Sequence, residues 1–126
     1  MDDPLKVLIV DDDDMIRSVV RIALQKVNAW VVLEASNGED GLAVAAAEHP
    51  DVMLLDYQMP RMDGAQTIKR LKEIPNTATI PVVFLTAKTG RKARGAYEEL
   101  GAIGTIEKPF DPLVLGEEIT RLLRRS

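Results

Sequence analysis

Lys6-Val7-Leu8-Ile9-Val10 is an apolar run that passes directly into four consecutive acids, Asp11-Asp12-Asp13-Asp14. A short, branched apolar run of this kind is typical of a strand that is covered on both faces. Beyond the acids, apolar residues recur at the spacing of one helix face, at Ile16, Val19, Val20, Ala23, Leu24 and Val27. The sequence therefore predicts a buried strand, an acidic turn and an amphipathic helix.

The same alternation of strand and helix patterns continues along the chain. Four further strands are predicted at Trp30–Ala35, Val52–Leu55, Val82–Leu85 and Gly104–Glu107. Helices are predicted from the alanine-rich segment Gly38–Glu48, from Ile68 and Leu71 after a loop with Pro60 and Gly64, and from the stripe Ala93, Ala96, Tyr97 and Leu100. Asp111-Pro112 predicts an N-cap and first turn for a last helix lined by Leu115, Ile119, Leu122 and Leu123.

Five strands alternating with five helices indicate βα units and a parallel sheet. The first, third and fourth strands are apolar without alternation, which favours central positions, whereas the second and fifth are mixed and favour the edges. Right-handed crossovers then give a flavodoxin-like, doubly wound α/β fold with strand order 2-1-3-4-5. Because the chain has 126 residues, the size of one ordinary domain, we expect residues 1–126 to form a single domain.

Composition narrows the class of protein. Hydrophobic residues make up 46% and charged residues 29%, and no apolar run approaches the length of a membrane span. The absence of cysteine and of a secretion signal at Met1–Lys6 leads us to expect a cytoplasmic protein without membrane association. A net charge of −4 argues against direct binding to nucleic acid.

Basic residues nevertheless cluster in two places. Lys88, Arg91, Lys92 and Arg94 crowd one segment, and Arg121, Arg124 and Arg125 crowd the C-terminus. One interpretation is that both clusters lie on solvated helix faces, and the second cluster would also be favourably placed at the C-terminus of a helix. The alternative is a docking surface for an acidic partner protein.

Polar residues follow the carboxyl ends of the predicted strands. In a doubly wound parallel sheet, ligands bind at this edge. Asp11 and Asp12 follow the first strand, and Asp56, Thr86 and Lys108 follow the third, fourth and fifth. Taken one at a time, these residues could also have ordinary structural roles, as a helix cap, a turn residue, a strand end or a surface charge. Together, three carboxylates about 4 Å apart would repel by about 4 kcal/mol per pair at an effective dielectric near 20.

Such a cluster stays ionised with a cation, and an all-oxygen site suits Mg²⁺ or Mn²⁺. A carboxylate beside this ion, with a lysine and a hydroxyl opposite, has the parts needed to accept a phosphoryl group.

Five motifs in this order resemble the receiver domain of bacterial two-component response regulators, over essentially the whole chain. They are Val10-Asp11-Asp12, Asp51-Val52-Met53-Leu54-Leu55-Asp56, Met59-Pro60-Arg61-Met62-Asp63-Gly64, Thr86-Ala87 and Lys108-Pro109-Phe110. The resemblance implies that Asp56 is the phosphoacceptor and that Thr86 and Lys108 bind the phosphoryl oxygens. It also implies Mg²⁺ held by Asp12 directly, Asp11 through water, the Asp56 side chain and the backbone carbonyl of Gln58.

The resemblance further implies a switch. The Lys108–Pro109 bond would be cis, and phosphorylation would alter a protein-interaction surface formed by the fourth helix, fifth strand and fifth helix. The switch residues would be Thr86, Thr105, Lys108 and Pro109. Thr105 departs from the family pattern, which usually has an aromatic residue there. The signal could instead pass through the loop before the fourth helix, where Gly90 and Gly95 ease rearrangement.

The donor implied by the resemblance is a partner histidine kinase or histidine phosphotransfer protein. The chain's only histidine, His49, precedes a proline and fits a helix boundary better than a phosphodonor. We expect no enzymatic activity other than self-catalysed phosphoryl acceptance and autodephosphorylation. A stand-alone receiver acting on a downstream protein is favoured by the length, and a receiver fragment of a larger regulator or hybrid kinase would look the same.

Other readings explain fewer of these residues. An aspartate-based phosphohydrolase would use Asp11-x-Asp13 but leaves the lysine–proline and Met59–Gly64 motifs unexplained. A calcium loop lacks its turn glycine, since Ile16 occupies that position, and an FMN site would have a glycine- and hydroxyl-rich first turn instead of an acidic one. A receiver that has lost phosphorylation would not be expected to retain all of the key residues.

Overall fold

Five parallel strands form the centre of the molecule in the computed structural model, which describes residues 4–125. The strands are β1 (Lys6–Val10), β2 (Val31–Ala35), β3 (Val52–Asp56), β4 (Val82–Thr86) and β5 (Gly104–Glu107). Their order in the sheet is β2-β1-β3-β4-β5, which confirms the predicted flavodoxin-like arrangement. The predicted absence of a secretion signal rests partly on residues 1–3, which lie outside the described part.

Burial separates the central strands from the edges. All residues of β3 and β4 are buried, as are all of β1 after Lys6, because helices cover both faces of the sheet. The edge strands β2 and β5 carry exposed residues, among them Val31 and Glu107. This pattern explains why the central runs are uniformly apolar and the edge runs are mixed.

Five helices pack on the two faces of the sheet and alternate with the strands along the chain. They are α1 (Asp14–Asn28), α2 (Gly38–Glu48), α3 (Gly64–Glu73), α4 (Arg91–Glu99) and α5 (Leu115–Arg125). Alternate residues of each central strand point to opposite faces, so two core layers form. One layer joins the sheet to α2, α3 and α4, and the other joins it to α1 and α5.

Side chains start the first three helices. Asp13 caps α1 by accepting hydrogen bonds from the backbone N–H groups of Met15 and Ile16. Asn37 caps α2. Asp63 and Gln66 form a reciprocal capping box at the start of α3. These contacts satisfy backbone donors that have no partner within the helix.

The predicted N-cap of the last helix is wrong. Helix α5 begins at Leu115, and residues 112–114 form a turn before it. The Asp111 carboxylate accepts a hydrogen bond from the backbone N–H of Leu113. The backbone carbonyl of Asp111 accepts one from the backbone N–H of Val114. Asp111 therefore closes a turn that leads into the helix, because short Asp side chains cap turns and helices by the same contact.

The predicted apolar stripe of the fourth helix is only partly buried. Tyr97 is buried, and Ala93 and Leu100 pack against the core. Ala96 is exposed, and the helix ends at Glu99. Within α4, residues 91–99, Tyr97 is thus the one residue whose side chain is buried.

Within residues 4–125, none of the helices combines the length and apolar character that crossing a lipid bilayer requires.

Candidate functional site

The carboxyl ends of β1 and β3 bring the first acids together. Val10 pairs with Leu55 in the sheet, so Asp11 leaves β1 beside Asp56, the last residue of β3. Asp11, Asp12 and Asp56, here called the acidic site, each offer one carboxylate oxygen, and these oxygens lie within 4.8 Å of one another. Asp11 and Asp56 are buried, whereas Asp12 is exposed and leaves the acidic site open to solvent.

Lys108 reaches the acidic site from the end of β5. Its ammonium nitrogen lies 2.9 Å from Asp11 Oδ2 and 3.3 Å from Asp56 Oδ1. The backbone N–H of Lys108 donates to the Thr86 carbonyl at 2.9 Å, and the following peptide bond to Pro109 is cis, as the resemblance implies. One cation therefore bridges two buried carboxylates at the carboxyl ends of different strands.

Backbone and guanidinium donors fix the carboxylates further. The Asp13 N–H donates to Asp11 Oδ1 at 2.9 Å, and the Gln58 N–H donates to Asp56 Oδ1 at 3.3 Å. The Arg17 guanidinium donates to the Asp11 carbonyl at 2.7 Å. These contacts hold Asp11 just after β1 and Asp56 at the end of β3 in place.

The protonation of Asp56 reflects opposing effects. Burial, followed by the negative charge of Asp11, raises the pKa of Asp56 from 3.8 to about 6, although Lys108 and the Gln58 N–H oppose this rise. Burial alone would lower the pKa of Lys108, but its hydrogen bond to Asp11 and the charges of Asp11 and Asp56 outweigh burial and raise it. Lys108 is therefore charged near neutral pH, and Asp56 sits close to its titration range.

Thr86 closes the neighbouring strand end. Asp56 pairs with Leu85 in the sheet, so Thr86 lies one position further along β4 on the same edge. Thr86 is 3% exposed, and its Oγ1 accepts a hydrogen bond from the Lys88 N–H at 3.1 Å. The hydroxyl proton of Thr86 stays free to be donated elsewhere.

Thr105 occupies a different environment from the acidic site. It lies on β5 opposite Phe84 in the sheet register and is half-buried. Thr105 lines a surface cavity of about 450 Å³ between α4, β5 and α5, together with Tyr97, Glu107 and Phe110. The short side chain contributes no ring to this cavity.

Two features were missed by sequence reasoning. Arg17 ties the acidic loop to α1 and β2 through Asp11, Asp14 and Glu34. Its position one turn after Asp14 is the signal that could have identified it. Tyr57, Phe84 and Tyr97 form an aromatic cluster with ring centroids 4.8–5.3 Å apart. This cluster joins three elements, so no local spacing in the sequence reveals it.

The residues present fit a divalent metal ion. Three carboxylates face one ammonium group, which leaves uncompensated negative charge at the acidic site. The donors are all oxygen atoms, which suit Mg²⁺ or Mn²⁺ better than softer metals. Sulfur and imidazole ligands are not part of this cluster.

Comparisons with known proteins agree with this geometry. A family model described as "Response regulator receiver domain" matches residues 7–120. Response regulator PleD of Caulobacter vibrioides is 40% identical over 121 residues, which cover 94% of this chain and 26% of PleD. The alkaline phosphatase synthesis transcriptional regulatory protein PhoP of Bacillus subtilis is 34% identical over 121 residues, covering 96% of this chain and 49% of PhoP. The chain thus spans about half the length, or less, of these curated relatives.

A solved structure shows the same fold at similar identity. The chemotaxis response regulator CheY4 of Vibrio cholerae superposes with a TM-score of 0.88 and is 32% identical, covering 95% of this chain and 99% of CheY4. Together with the match of the family model to most of the chain, this similarity identifies the family. The chain belongs to the receiver domains of two-component response regulators.

Proposed function

We propose that this receiver accepts a phosphoryl group on Asp56 from the phosphohistidine of a histidine kinase or phosphotransfer protein. Receiver domains of the family are regulatory phosphoacceptors rather than classical enzymes, and those resembling CheY take phosphoryl groups from histidine kinases. The observation that carries the proposal is the ammonium group of Lys108, which contacts both Asp11 and Asp56. This arrangement places a cation beside the nucleophilic carboxylate, where it would stabilise the negative charge of the transferred phosphoryl group.

The chemistry assigned to Asp56 is nucleophilic. One carboxylate oxygen forms a bond to phosphorus while the bond from phosphorus to the donor imidazole nitrogen breaks, and the leaving nitrogen regains a proton. The product is a mixed anhydride of Asp56. Lys108 would stabilise negative charge on the phosphoryl oxygens, and the buried position limits the competing solvation of that charge.

The acidic site would hold Mg²⁺, with Mn²⁺ as an alternative. Asp11, Asp12, Asp56 and the Gln58 carbonyl are the proposed ligands. When bound, the ion supplies positive charge that offsets both the carboxylates and the phosphoryl oxygens. The exposed position of Asp12 leaves the acidic site open to solvent, which would give an ion access.

Thr86 supplies a neutral donor beside Asp56. Because its oxygen already accepts from the Lys88 N–H, the hydroxyl proton is the group available to a phosphoryl oxygen. We assign Thr86 and Lys108 as the residues that bind these oxygens. Hydrolysis of the anhydride by water would return the receiver to its starting state without turnover of a separate substrate.

The proposed output surface consists of α4, β5 and α5. A surface cavity lies between these elements and is lined by both cations and anions, among them Arg94, Glu98, Glu118, Arg121 and Arg125. Mixed charges of this kind suit a downstream protein better than a nucleic acid backbone, and the net charge of −4 agrees. We also propose that residues 1–126 form one receiver domain, which in relatives such as PhoP is part of a longer protein.

A mass measurement tests the acceptor. The purified chain is incubated with acetyl phosphate and Mg²⁺, and its intact mass is followed for the wild type, Asp56→Asn and Asp51→Asn. Asp51 is exposed, directly precedes the start of the same strand and makes a matched control. We expect wild type and Asp51→Asn to gain one phosphoryl group and Asp56→Asn to gain none. Equal gain by all three proteins would refute Asp56 as the acceptor.

A further inference from the structure

Helix α4 is anchored at its start less firmly than α1, α2 and α3. Gly90 occupies its N-cap position and makes no side-chain cap, whereas those three helices have Asp or Asn caps. Its first turn contains Arg91 and Lys92 and no acid, so positive charges face the positive end of the helix dipole. Gly95 in its interior has nothing within 4 Å of the position of a Cβ atom. Helix α4 is therefore suited to move as a unit.

Tyr97 is the main point at which α4 is attached to the sheet. Its side chain is 3% exposed, and its ring centroid lies 4.8 Å from that of Tyr57 and 5.1 Å from that of Phe84. Its hydroxyl donates a hydrogen bond to the Lys88 carbonyl at 2.9 Å. Lys88 belongs to the loop that leads from β4 to α4, so Tyr97 links the middle of the helix to this loop.

Lys88 extends this link to the acidic site. Its carbonyl accepts from Tyr97, and its N–H donates to Thr86 Oγ1 at 3.1 Å. Two consecutive hydrogen bonds therefore join the Thr86 hydroxyl to the Tyr97 hydroxyl through one residue. A displacement of the Thr86 oxygen would weaken the hydrogen bond that it accepts from the Lys88 N–H, and the carbonyl of the same residue is the acceptor for Tyr97.

We infer that Tyr97 is the positioning residue that holds the Lys88 loop against Thr86 and couples phosphorylation of Asp56 to the position of α4. The inference rests on the proposed function of Asp56 and Thr86. Thr105 on β5 has no ring to fill the adjacent cavity, and Tyr97 is the aromatic side chain that α4 contributes to its lining and that also contacts the Lys88 loop. The coupling is carried by α4 rather than by residue 105.

Three single variants separate this route from its alternatives. Tyr97→Phe removes the hydroxyl and retains the buried ring, so folding is preserved while the contact to Lys88 is lost. Tyr57→Phe removes a hydroxyl from the same aromatic cluster and serves as the matched control. Thr105→Val removes the hydroxyl of the β5 residue and tests the rival route.

The readout is the change in backbone amide chemical shifts of residues 88–99 when beryllofluoride and Mg²⁺ are added as a phosphoryl mimic. A parallel measurement follows the rate of phosphoryl gain from acetyl phosphate by intact mass. One neutral hydrogen bond changes an equilibrium constant by about fivefold, so for Tyr97→Phe we expect the equilibrium between the two positions of α4 to change by about this factor. The shift changes in α4 should fall by up to about fivefold through the altered populations, and the rate of phosphoryl gain should fall by a similar factor. Tyr57→Phe and Thr105→Val should respond like the wild type.

Two results would overturn the inference while leaving the proposed function intact. The first is a Tyr97→Phe protein that gains phosphate and shifts its α4 amides as the wild type does. The second is loss of the α4 response in Thr105→Val with Tyr97→Phe unaffected. Failure of the wild type to gain any phosphoryl mass would instead refute the proposed function together with this inference. A change in thermal stability of Tyr97→Phe without either readout would show a structural role only.

Discussion

At the scale of single residues, Asp56 combines properties that conflict in an isolated side chain. It is 5% exposed, lies near a second buried carboxylate and is contacted by one ammonium group. Burial raises its pKa to about 6, so the ionised, nucleophilic form is costly without further positive charge. A bound cation would favour that form, which links metal binding to reactivity.

Removing the charge of Asp56 should stabilise the metal-free protein at high pH. The pKa of Asp56 is about 6 in the folded state, above its ordinary value of 3.8, so ionisation of this group costs stability as pH rises through 6. At pH 8 we expect Asp56→Asn to raise the free energy of unfolding by about 1–3 kcal/mol, since each pKa unit corresponds to about 1.4 kcal/mol. Urea denaturation in EDTA at pH 8 and pH 3.5 measures this difference.

The gain should largely disappear at pH 3.5, where the aspartate is protonated in the folded state and mostly protonated in the unfolded state. Asp51→Asn reports the effect of removing an exposed charge just before the same strand and should show a smaller change. A gain in Asp56→Asn that is equal at both pH values would contradict the assigned pKa shift.

Replacing the bridging cation should slow phosphoryl acceptance. Lys108→Gln keeps a polar side chain but removes the positive charge between Asp11 and Asp56. Loss of one preorganised stabilising group costs roughly 10²–10³ in rate. The time course of mass gain from acetyl phosphate at saturating Mg²⁺ measures the effect, with the exposed Lys69→Gln as the charge-matched comparison. An unchanged rate in Lys108→Gln would remove Lys108 from the mechanism.

At the scale of helices and strands, glycines report how closely each helix packs. Gly95 in α4 has open space where a Cβ would lie, whereas a Cβ at Gly41 in α2 would lie 2.8 Å from Val10 Cγ2. Both residues occupy helix interiors. The same substitution should therefore have opposite effects at the two positions.

Gly95→Ala should stabilise the protein and Gly41→Ala should destabilise it. Alanine is favoured over glycine in a helix interior by about 1 kcal/mol, and a Cβ atom at position 95 would have no atom within 4 Å. At Gly41 overpacking against buried Val10 should cost about 1–3 kcal/mol, which exceeds the gain from helix propensity over most of this range. Chemical denaturation of both variants gives the two signs, and destabilisation by Gly95→Ala would show that α4 packs more tightly than the structure indicates.

Sequence reasoning predicted the strands well because burial on two faces leaves a strong signal. Val52 to Leu55 and Val82 to Leu85 are uniformly apolar, and both strands extend one further residue to the polar groups at their ends, Asp56 and Thr86. The start of α5 was missed because Asp111 caps a turn by the same contact that would cap a helix. Local chemistry alone does not distinguish these two outcomes.

The candidate site was predictable in part for a related reason. Parallel strands end at one edge, so the polar residues that follow them must converge, and the contacts of Lys108 with Asp11 and Asp56 confirm this convergence. The hydrogen bond between Tyr97 and Lys88 was not predictable, since it depends on how α4 settles against the core. Such tertiary contacts have no periodicity in the sequence.

At the scale of the whole molecule, the fold separates stability from chemistry. Two apolar layers on either side of the sheet hold the strands, while the buried charged side chains of Asp11 and Asp56 lie at its carboxyl edge. Repulsion within the acidic site opposes the folded state, so a bound cation should raise the stability of the entire domain.

Mg²⁺ should therefore stabilise the protein against unfolding. A ligand present at about 100 times its dissociation constant contributes about 2.7 kcal/mol when it binds only the folded state. Thermal unfolding followed with increasing MgCl₂, at constant ionic strength, should show a rising midpoint for the wild type. Asp12→Asn, which alters an exposed residue, should reduce this rise strongly, and an equal rise in both proteins would place the ion elsewhere.

The most direct test of the central claim is to locate the phosphoryl group chemically. A phosphorylated aspartate is an acyl phosphate, which borohydride reduces to homoserine, and tandem mass spectrometry identifies the converted position. After incubation with acetyl phosphate and Mg²⁺, we predict homoserine at position 56 and no conversion when Mg²⁺ is replaced by EDTA. Conversion at Asp11 or Asp12 with Asp56 unmodified would contradict the account.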